Sequence, residues 1–333
     1  MAQQPLITVG LPIYNAMPYL PEAMNSLFAQ RCANFEILAI VDGATDDSLE
    51  YLRSLAAKPS PGSRLRILTQ PNQGITPTLN RMLRECRTPW LVRQDADDVS
   101  HPQRVGRLLS AIESTPRAGM FYSLANYHPR GRAIGTFRCT RGTPRQLQSI
   151  VRNGYLLSIC HPTVALNVEK TRDLGGYRIG LHNEDADLWW RMAIEHEIHC
   201  IPEELVGFRQ NESSVSSRNL GTQMVAALYV QYLLLSYLTR RTPQSLAAIR
   251  SRLQSLLSPK KLRAKERLRE FNIRLAQKQY LRAAAAITAS AAASPAHLLG
   301  RLRDEFAPPQ SGSPIMNGIH PRLFLQQQEA LWQ

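Results

Sequence analysis

The hydrophobic pattern divides the chain into three stretches of different rhythm. Over the first 125 residues, short apolar runs alternate with amphipathic segments. Ile7–Leu11, ending at Pro12, reads as a buried strand. Phe35–Val41 reads the same way, as do Leu65–Leu68 and Trp90–Arg93. Between them, Leu20, Ala23, Met24, Leu27 and Phe28 recur at helical spacing, and Leu49, Leu52 and Leu55 suggest a second helix. Thr76-Pro77 reads as an N-cap followed by proline at the first helical position, and His101-Pro102 opens a helix carrying Val105, Leu108, Leu109 and Ile112 on one face. Such alternation predicts an α/β fold, a mostly parallel central sheet flanked by helices on both sides. Ligands of such sheets bind beyond the carboxyl ends of the strands. Tyr14, Asn15, Asp42 and Asp95 to Asp98 all fall there.

From Gly119 to Ser217 the pattern is irregular, with one strong helix over Asp185–Glu195 and a strand before Asn211. From Leu220 to Glu305 it is helical throughout. Met224–Leu238 is uncharged but shorter than the roughly 20 residues of a spanning helix, and it contains Gln231 and Ser236, so a buried amphipathic helix is expected. The predicted organisation is a domain over 1–217 (halves 1–118 and 119–217), a helical extension over 218–305, and a poorly ordered linker and tail over 306–333.

Composition narrows the classes. At 333 residues and 44% hydrophobic content, a large core is available. Five cysteines, odd in number and without C-x-x-C spacing, argue against a disulfide framework or structural zinc and for a reducing compartment. The opening MAQQPLITVGLPIYN has no basic segment followed by an apolar one, so no secretory signal is expected. The net charge of +14 is concentrated between Arg240 and Glu305, with about fifteen Lys/Arg against four Asp/Glu. That stretch reads either as a surface for anionic lipid or an anionic substrate, or as a solvated helical face. It lacks interleaved aromatics and nucleic-acid motifs, so no nucleic-acid partner is expected.

Three carboxylates lie within four residues in Asp95-Ala96-Asp97-Asp98. Like charges held this close call for a cation, and a divalent ion shared with substrate phosphates is one reading. An acidic N-cap for the helix beginning near Pro102 is the other. A second cluster, Glu184-Asp185-Ala186-Asp187, opens the helix containing Trp189 and Trp190; helix capping explains part of it, a general base another part. The sequence does not place the two clusters face to face.

The segments ITVGLPIYNAMPYLPEAMNSLFAQ, FEILAIVDGATDDS, PNQGITPTLNRML and WLVRQDADDVSHPQR, in that order, resemble the donor half of family 2 inverting glycosyltransferases with the GT-A fold. CHPTVALNVEKTRDLGGYR, NEDADLWWRM and IPEELVGFRQNESSVS resemble the acceptor half. The resemblance covers residues 5 to 217. It implies a GT-A nucleotide-binding domain with a C-terminal helical extension. The donor would be a UDP-, GDP- or dTDP-sugar and the acceptor a glycan or lipid-linked molecule of bacterial polysaccharide assembly. Pro12, Tyr14, Asn15, Asp42, Asn72, Asn80, Arg93, Asp95 and Arg209 would bind the nucleotide sugar. Asp97 with Asp95 would hold Mn²⁺ or Mg²⁺, and Asp98 would support them. Asp185 would be the base, and His161, Thr163 and Glu184 would lie on the acceptor side. The implied location is cytoplasmic, at the inner face of a membrane. Two departures stand out: one aspartate, Asp42, where the family commonly has two, and Asn211 where it has histidine. A non-catalytic member of the same fold and a sugar nucleotidylyltransferase are the competing readings. The latter lacks its glycine-rich phosphate loop here, where Pro12-Ile13-Tyr14-Asn15 follows the first strand.

Overall fold

The computed structural model describes residues 5–59, 62–128, 137, 139–209, 220–299, 316–317, 321, 324, 331 and 332. In chain order its first elements are β1 (Ile7–Ile13), α1 (Leu20–Phe28), β2 (Glu36–Asp42), α2 (Ser48–Ala56), β3 (Leu65–Gln70) and α3 (Ile75–Glu85). β4 (Trp90–Arg93), β5 (Val99–Ser100), α4 (Arg104–Ser114) and β6 (Met120–His128) follow. Next come α5 (Pro144–Arg152), β7 (Leu156–Leu157), β8 (Val164–Asn167), α6 (Val168–Asp173), α7 (Glu184–Glu195) and β9 (Ile198–Arg209). The chain continues through α8 (Leu220–Leu238), α9 (Leu246–Ser255), α10 (Pro259–Ala276), α11 (Tyr280–Ala293) and β10 (Met316–Asn317).

Eight strands form one sheet in the order β3-β2-β1-β4-β8-β6-β9-β5. The first four run parallel, as the alternating pattern requires. β8 is antiparallel to both β4 and β6, and β5 is antiparallel to β9, so the sheet as a whole is mixed. Successive side chains of a strand face opposite layers. Ile37, Ala39 and Val41 of β2 join Ile7, Val9, Leu11 and Ile13 in a core covered by α1, α2 and α4. Leu38 and Ile40 join the opposite core, with Leu79, Met82 and Leu83 of α3 and Leu188, Trp189 and Met192 of α7. Each large apolar side chain buried in this way contributes roughly 1.5–3 kcal/mol.

Several local expectations shift by a few residues. Pro12 lies inside β1 rather than ending it. Pairing with β4 stops at Gly10, and the next residue on that flank is Pro12, so its missing N–H breaks no ladder bond. α3 begins at Ile75 with Gly74 as N-cap, and Thr76 is buried in its first turn. α4 begins at Arg104, with Gln103 as N-cap and β5 in between. Asp95–Asp98 therefore does not cap that helix.

The helix after β9, α8, packs directly on the sheet-bearing body. Residues of α8 are buried around its whole circumference. Val230 and Leu234 enter the core of α5 and α7, while Val225, Leu228, Tyr232 and Leu235 pack with α9, Phe324 and Leu331. The expected amphipathic helix is instead sandwiched between two cores. Its polar residues are satisfied: Gln231 donates to the Gly154 carbonyl (3.0 Å) and Ser236 to the Tyr232 carbonyl (2.7 Å). Among the described residues, no helix is long and apolar enough to cross a membrane. The described tail residues are packed against the body: Met316 and Asn317 pair with β7, and Trp332 donates to Ser236 Oγ (2.9 Å). This corrects the expectation of a loose tail at those positions. The expected boundary at Ser217, and Asn211, lie outside the described residues.

Candidate active site

The strand order β2-β1-β4 brings three strand ends side by side, and each ends in polar residues. After β1, Tyr14 is 55% exposed. Asn15 takes a left-handed backbone (φ 47°), and its Oδ1 accepts from the Thr45 amide (2.8 Å). The loops after β1 and β2 are thereby tied together. Asp42, at the end of β2, is nearly buried and accepts from Gln70 Nε2 (2.7 Å) and from the Gln73 and Gly74 amides (2.9 Å each). A carboxylate has about four acceptor positions, so most of Asp42 is spent organising the loop into α3. Gly43 (φ +67°) allows that loop to close: a Cβ there would stand 2.5 Å from the Asn72 amide nitrogen. Asn72 is accordingly beside the end of β2 and exposed.

Asn80 of α3 spends both ends of its amide on the Tyr177 backbone. Its Nδ2 donates to the Tyr177 carbonyl (2.8 Å) and its Oδ1 accepts from the Tyr177 amide (2.9 Å). It fastens the Gly175-Gly176-Tyr177 turn to α3.

The acidic turn after β4 rests on two buried arginines. Arg93 donates to Asp95 and to the Gln94 carbonyl. Arg104, fully buried, donates to Gln94 Oε1 (2.6 Å), Ser100 Oγ (2.9 Å), the Arg93 carbonyl (2.7 Å) and the Pro162 carbonyl. Burial lowers its pKa to about 10, so it remains a cation at neutral pH. Gln94 in turn donates to the Asp98 carbonyl (2.9 Å), which shapes the turn. Burial and the charge of Asp95 raise Asp97 to about 6. Burial, Asp95 and Asp97 push Asp98 well above the usual carboxylate range. Asp98 Oδ1 accepts from the Arg209 amide (2.8 Å), while its buried Oδ2 has no hydrogen-bond partner.

Arg209, the last residue of β9, reaches the same turn. Its Nε donates to the Asp97 carbonyl (2.9 Å), its guanidinium lies 4.8 Å from the Tyr19 ring centroid, and it pairs with Glu22 of α1. His128, opposite Arg209 in the β6–β9 register, bonds the other oxygen of Glu22 (3.0 Å).

The second acidic cluster lies within electrostatic reach of the first. Glu184 is buried and raised to about 7 by burial and by the charge of Asp185; Asp95 adds to the effect and Arg93 opposes it. Asp185 is raised by burial and by Asp95, against the Ala186 amide, which donates to its Oδ1 (2.7 Å). Residues some 90 positions apart thus feel one another's charge, with Arg93 as the shared cation. Asp187, by contrast, is structural: it accepts from Arg178, Trp190 and Arg191, all within 3.2 Å.

His161 stands beside this cluster. Its Nε2 lies 2.9 Å from the Tyr177 hydroxyl, its ring meets Trp189 edge-on at 5.6 Å, and burial together with Arg93 keeps it neutral. Thr163 is fully buried and its hydroxyl donates to the Cys160 carbonyl (2.7 Å), closing the turn before β8.

Arg104, Gln94 and Tyr177 were not singled out from the sequence. A signal existed for Arg104: it precedes Leu108 and Ile112 by four and eight residues, a cation on the apolar stripe of α4.

Comparison with known proteins agrees with this architecture. The chain is 26% identical over 243 residues to the putative glycosyltransferase EpsE of Bacillus subtilis (strain 168), covering 69% of this chain and 82% of that protein. Two solved structures superpose on it: S. aureus TarS 1-349 in complex with UDP-GlcNAc, and the mannosyltransferase PcManGT from Pyrobaculum calidifontis in complex with GDP-Man and Mn²⁺. The TarS structure has a TM-score of 0.55 at 15% identity, covering 85% of this chain and 90% of its own. The mannosyltransferase has a TM-score of 0.53 at 16% identity, covering 93% and 89%. At these identities the likeness speaks for the fold, which is GT-A-like with helices added at the C-terminus. Residues 8–174, from β1 through the acidic turn to the end of α6, match the profile of Glycosyl transferase family 2. With half of the chain under that match, and the strand-end polar residues where such a fold binds its ligand, this protein belongs to glycosyl transferase family 2.

Proposed function

We propose that the chain transfers a glycosyl group, with inversion, from a nucleotide-sugar donor to a hydroxyl of a glycan or lipid-linked acceptor. The observation that carries this reading is the meeting of Asp95 with Glu184 and Asp185 around Arg93. On this reading Asp95 belongs to the donor side and Glu184 and Asp185 to the acceptor side, and their mutual electrostatic reach supports a shared site. Asp185 stands at the positive end of α7, and its raised proton affinity suits a group that must accept a proton as the acceptor oxygen attacks. In the proposed step the acceptor oxygen bonds to the anomeric carbon, the bond to the donor phosphate breaks, and the hydroxyl proton passes to Asp185. The nucleoside diphosphate leaves on the opposite face.

Tyr14, Asn15, Asn72 and Asp42 frame the nucleotide side, and Arg93 and Arg209 supply positive charge beside the acidic turn. Among the described residues no three His, Cys, Asp or Glu side chains form a ready-made metal cage. The turn nevertheless fits a divalent ion of the kind that takes few carboxylates and shares its shell with phosphates. Its carboxylates repel one another, and Asp98 Oδ2 is buried without a partner. Asp97, with Asp95, would hold Mn²⁺ or Mg²⁺. When bound, the ion supplies charge neutralisation for the leaving diphosphate. The donors seen with the neighbouring folds, UDP-GlcNAc and GDP-Man, set the starting panel.

Calorimetry and turnover on a panel of nucleotide sugars test the assignment. Asp185→Ala is expected to abolish transfer while binding donor normally, and Asp97→Ala to lose metal-dependent nucleotide binding. Normal turnover in Asp185→Ala overturns the base assignment.

A further inference from the structure

α10 and α11 form an antiparallel helical hairpin. Phe271 packs with Ala283 and Ala286, and Ser290 donates to the Ala264 carbonyl (2.8 Å). The inward face of α11 is therefore Ala283, Ala286 and Ser290. The exposed residues of α11 include Leu281, Ala284, Ala285, Thr288 and Ala292, with Arg282 its one exposed charge. At the hairpin tip Leu281 is 90% and Tyr280 65% exposed. Placing side chains of this size in water forgoes the burial that would stabilise them elsewhere, and large apolar exposures of this kind mark interaction sites.

The tip is also cationic. Arg274 and Arg282 both donate to Gln279 Oε1 (3.2 and 3.5 Å), which draws two guanidiniums together beside Tyr280 and Leu281. Lys278 stands between them in the chain, exposed, with a left-handed backbone (φ 60°) that turns the hairpin. Lys260, Lys261, Arg263 and Lys265 are exposed along α10. Those four lie at the opposite end of the hairpin; at the tip itself, Tyr280 and Leu281 beside Lys278, Arg274 and Arg282 fit an anionic phospholipid surface. The side chains enter the acyl boundary while the cations meet headgroup phosphates. A second copy of this chain fits poorly, because it would set the same cations against one another.

We infer that the hairpin tip, Lys278 to Arg282, is a docking point for an anionic membrane, with Leu281 and Tyr280 as its inserted side chains. Further back along α10, about two turns before the tip, Arg269 stands close enough to Tyr127 of β6 to feel it. A lipid-linked acceptor would be held at the same membrane surface as the enzyme. That consequence rests on the proposed glycosyl transfer; the docking itself does not.

The test is co-sedimentation of the full chain with vesicles of phosphatidylcholine alone or with phosphatidylglycerol added, without any turnover readout. Binding is expected only to the anionic vesicles and is expected to weaken as salt is raised. Leu281→Asp should lower the partition coefficient on the order of 10- to 100-fold, from the loss of one inserted leucine. Lys278→Ala with Arg282→Ala should lower it on the order of 30-fold. Both sites are exposed, so circular dichroism and melting temperature should match the parent protein. Three outcomes overturn the inference: no preference for anionic vesicles, unchanged binding by Leu281→Asp, or sedimentation showing that Leu281 instead holds two copies together. Failure here leaves the Asp185 test untouched.

Discussion

Removing Arg104 should damage this protein more than any exposed charge can. Four hydrogen bonds leave this one guanidinium, and all four acceptors are buried: Gln94 Oε1, Ser100 Oγ, and the carbonyls of Arg93 and Pro162. In Arg104→Met the apolar length of the side chain is kept. Gln94 Oε1 and Ser100 Oγ still have each other (2.8 Å). The two carbonyls lose this donor, and each buried acceptor left unpaired costs about 1–3 kcal/mol. The cation that balances Asp98 is lost as well. Set against this, a desolvated charge is relieved, so the net loss is about 3–5 kcal/mol, a fall in melting temperature on the order of 10 °C. Arg107, one turn further along α4, provides the comparison. Its exposed pair with Glu203 (3.0 Å) has the same chemistry in water, and Arg107→Met should cost less than about 1 kcal/mol. Differential scanning fluorimetry on the two variants decides the matter. If Arg104→Met melts no lower than Arg107→Met, Arg104 does not hold up the acidic turn.

Two further outcomes follow from the same geometry. Glu184 has its pKa raised from the ordinary 4.5 to about 7, so the fold favours its protonated form. Its stabilising contribution is complete below pH 4.5 and is lost as pH rises through 7. Glu184→Gln should therefore melt above the parent at pH 8, by on the order of 2–3 kcal/mol, with the gap closing at pH 5; an equal gap at both pH values refutes this. Gly43→Ala adds a Cβ 2.5 Å from the Asn72 amide nitrogen at a positive φ. It should cost about 2 kcal/mol or more and weaken nucleotide binding through the displaced Asp42 loop. Calorimetry showing parental affinity would remove that link.

What could be read along the chain was what depends on neighbours in sequence. Apolar runs and helical stripes located β1 to β4, α1 and α2 closely, because a buried strand or an amphipathic helix must carry its periodicity locally. The same logic set Asp42 and Asp95–Asp98 at strand ends, where parallel sheets bind ligands. The order of motifs along the chain carries the family resemblance without any tertiary contact. Side-chain partners were another matter. Only the packed structure shows Asn80 gripping Tyr177 and Asp42 gripping the Gln73 and Gly74 amides. The burial of Thr163 in the turn into β8 likewise appears only in the packed structure. Met224–Leu238 looked one-sided because its second neighbour, the returning tail at Phe324 and Leu331, is about 90 residues away. The acidic turn itself could be read either as a helix cap or as a site. Tertiary structure decided against the cap by inserting β5 before α4, and it then brought Glu184 and Asp185 within electrostatic reach. Local sequence carries periodicity and turn chemistry, whereas the balance of buried charge among Arg93, Arg104, Asp95 and Asp185 exists only once distant segments share one low-dielectric interior.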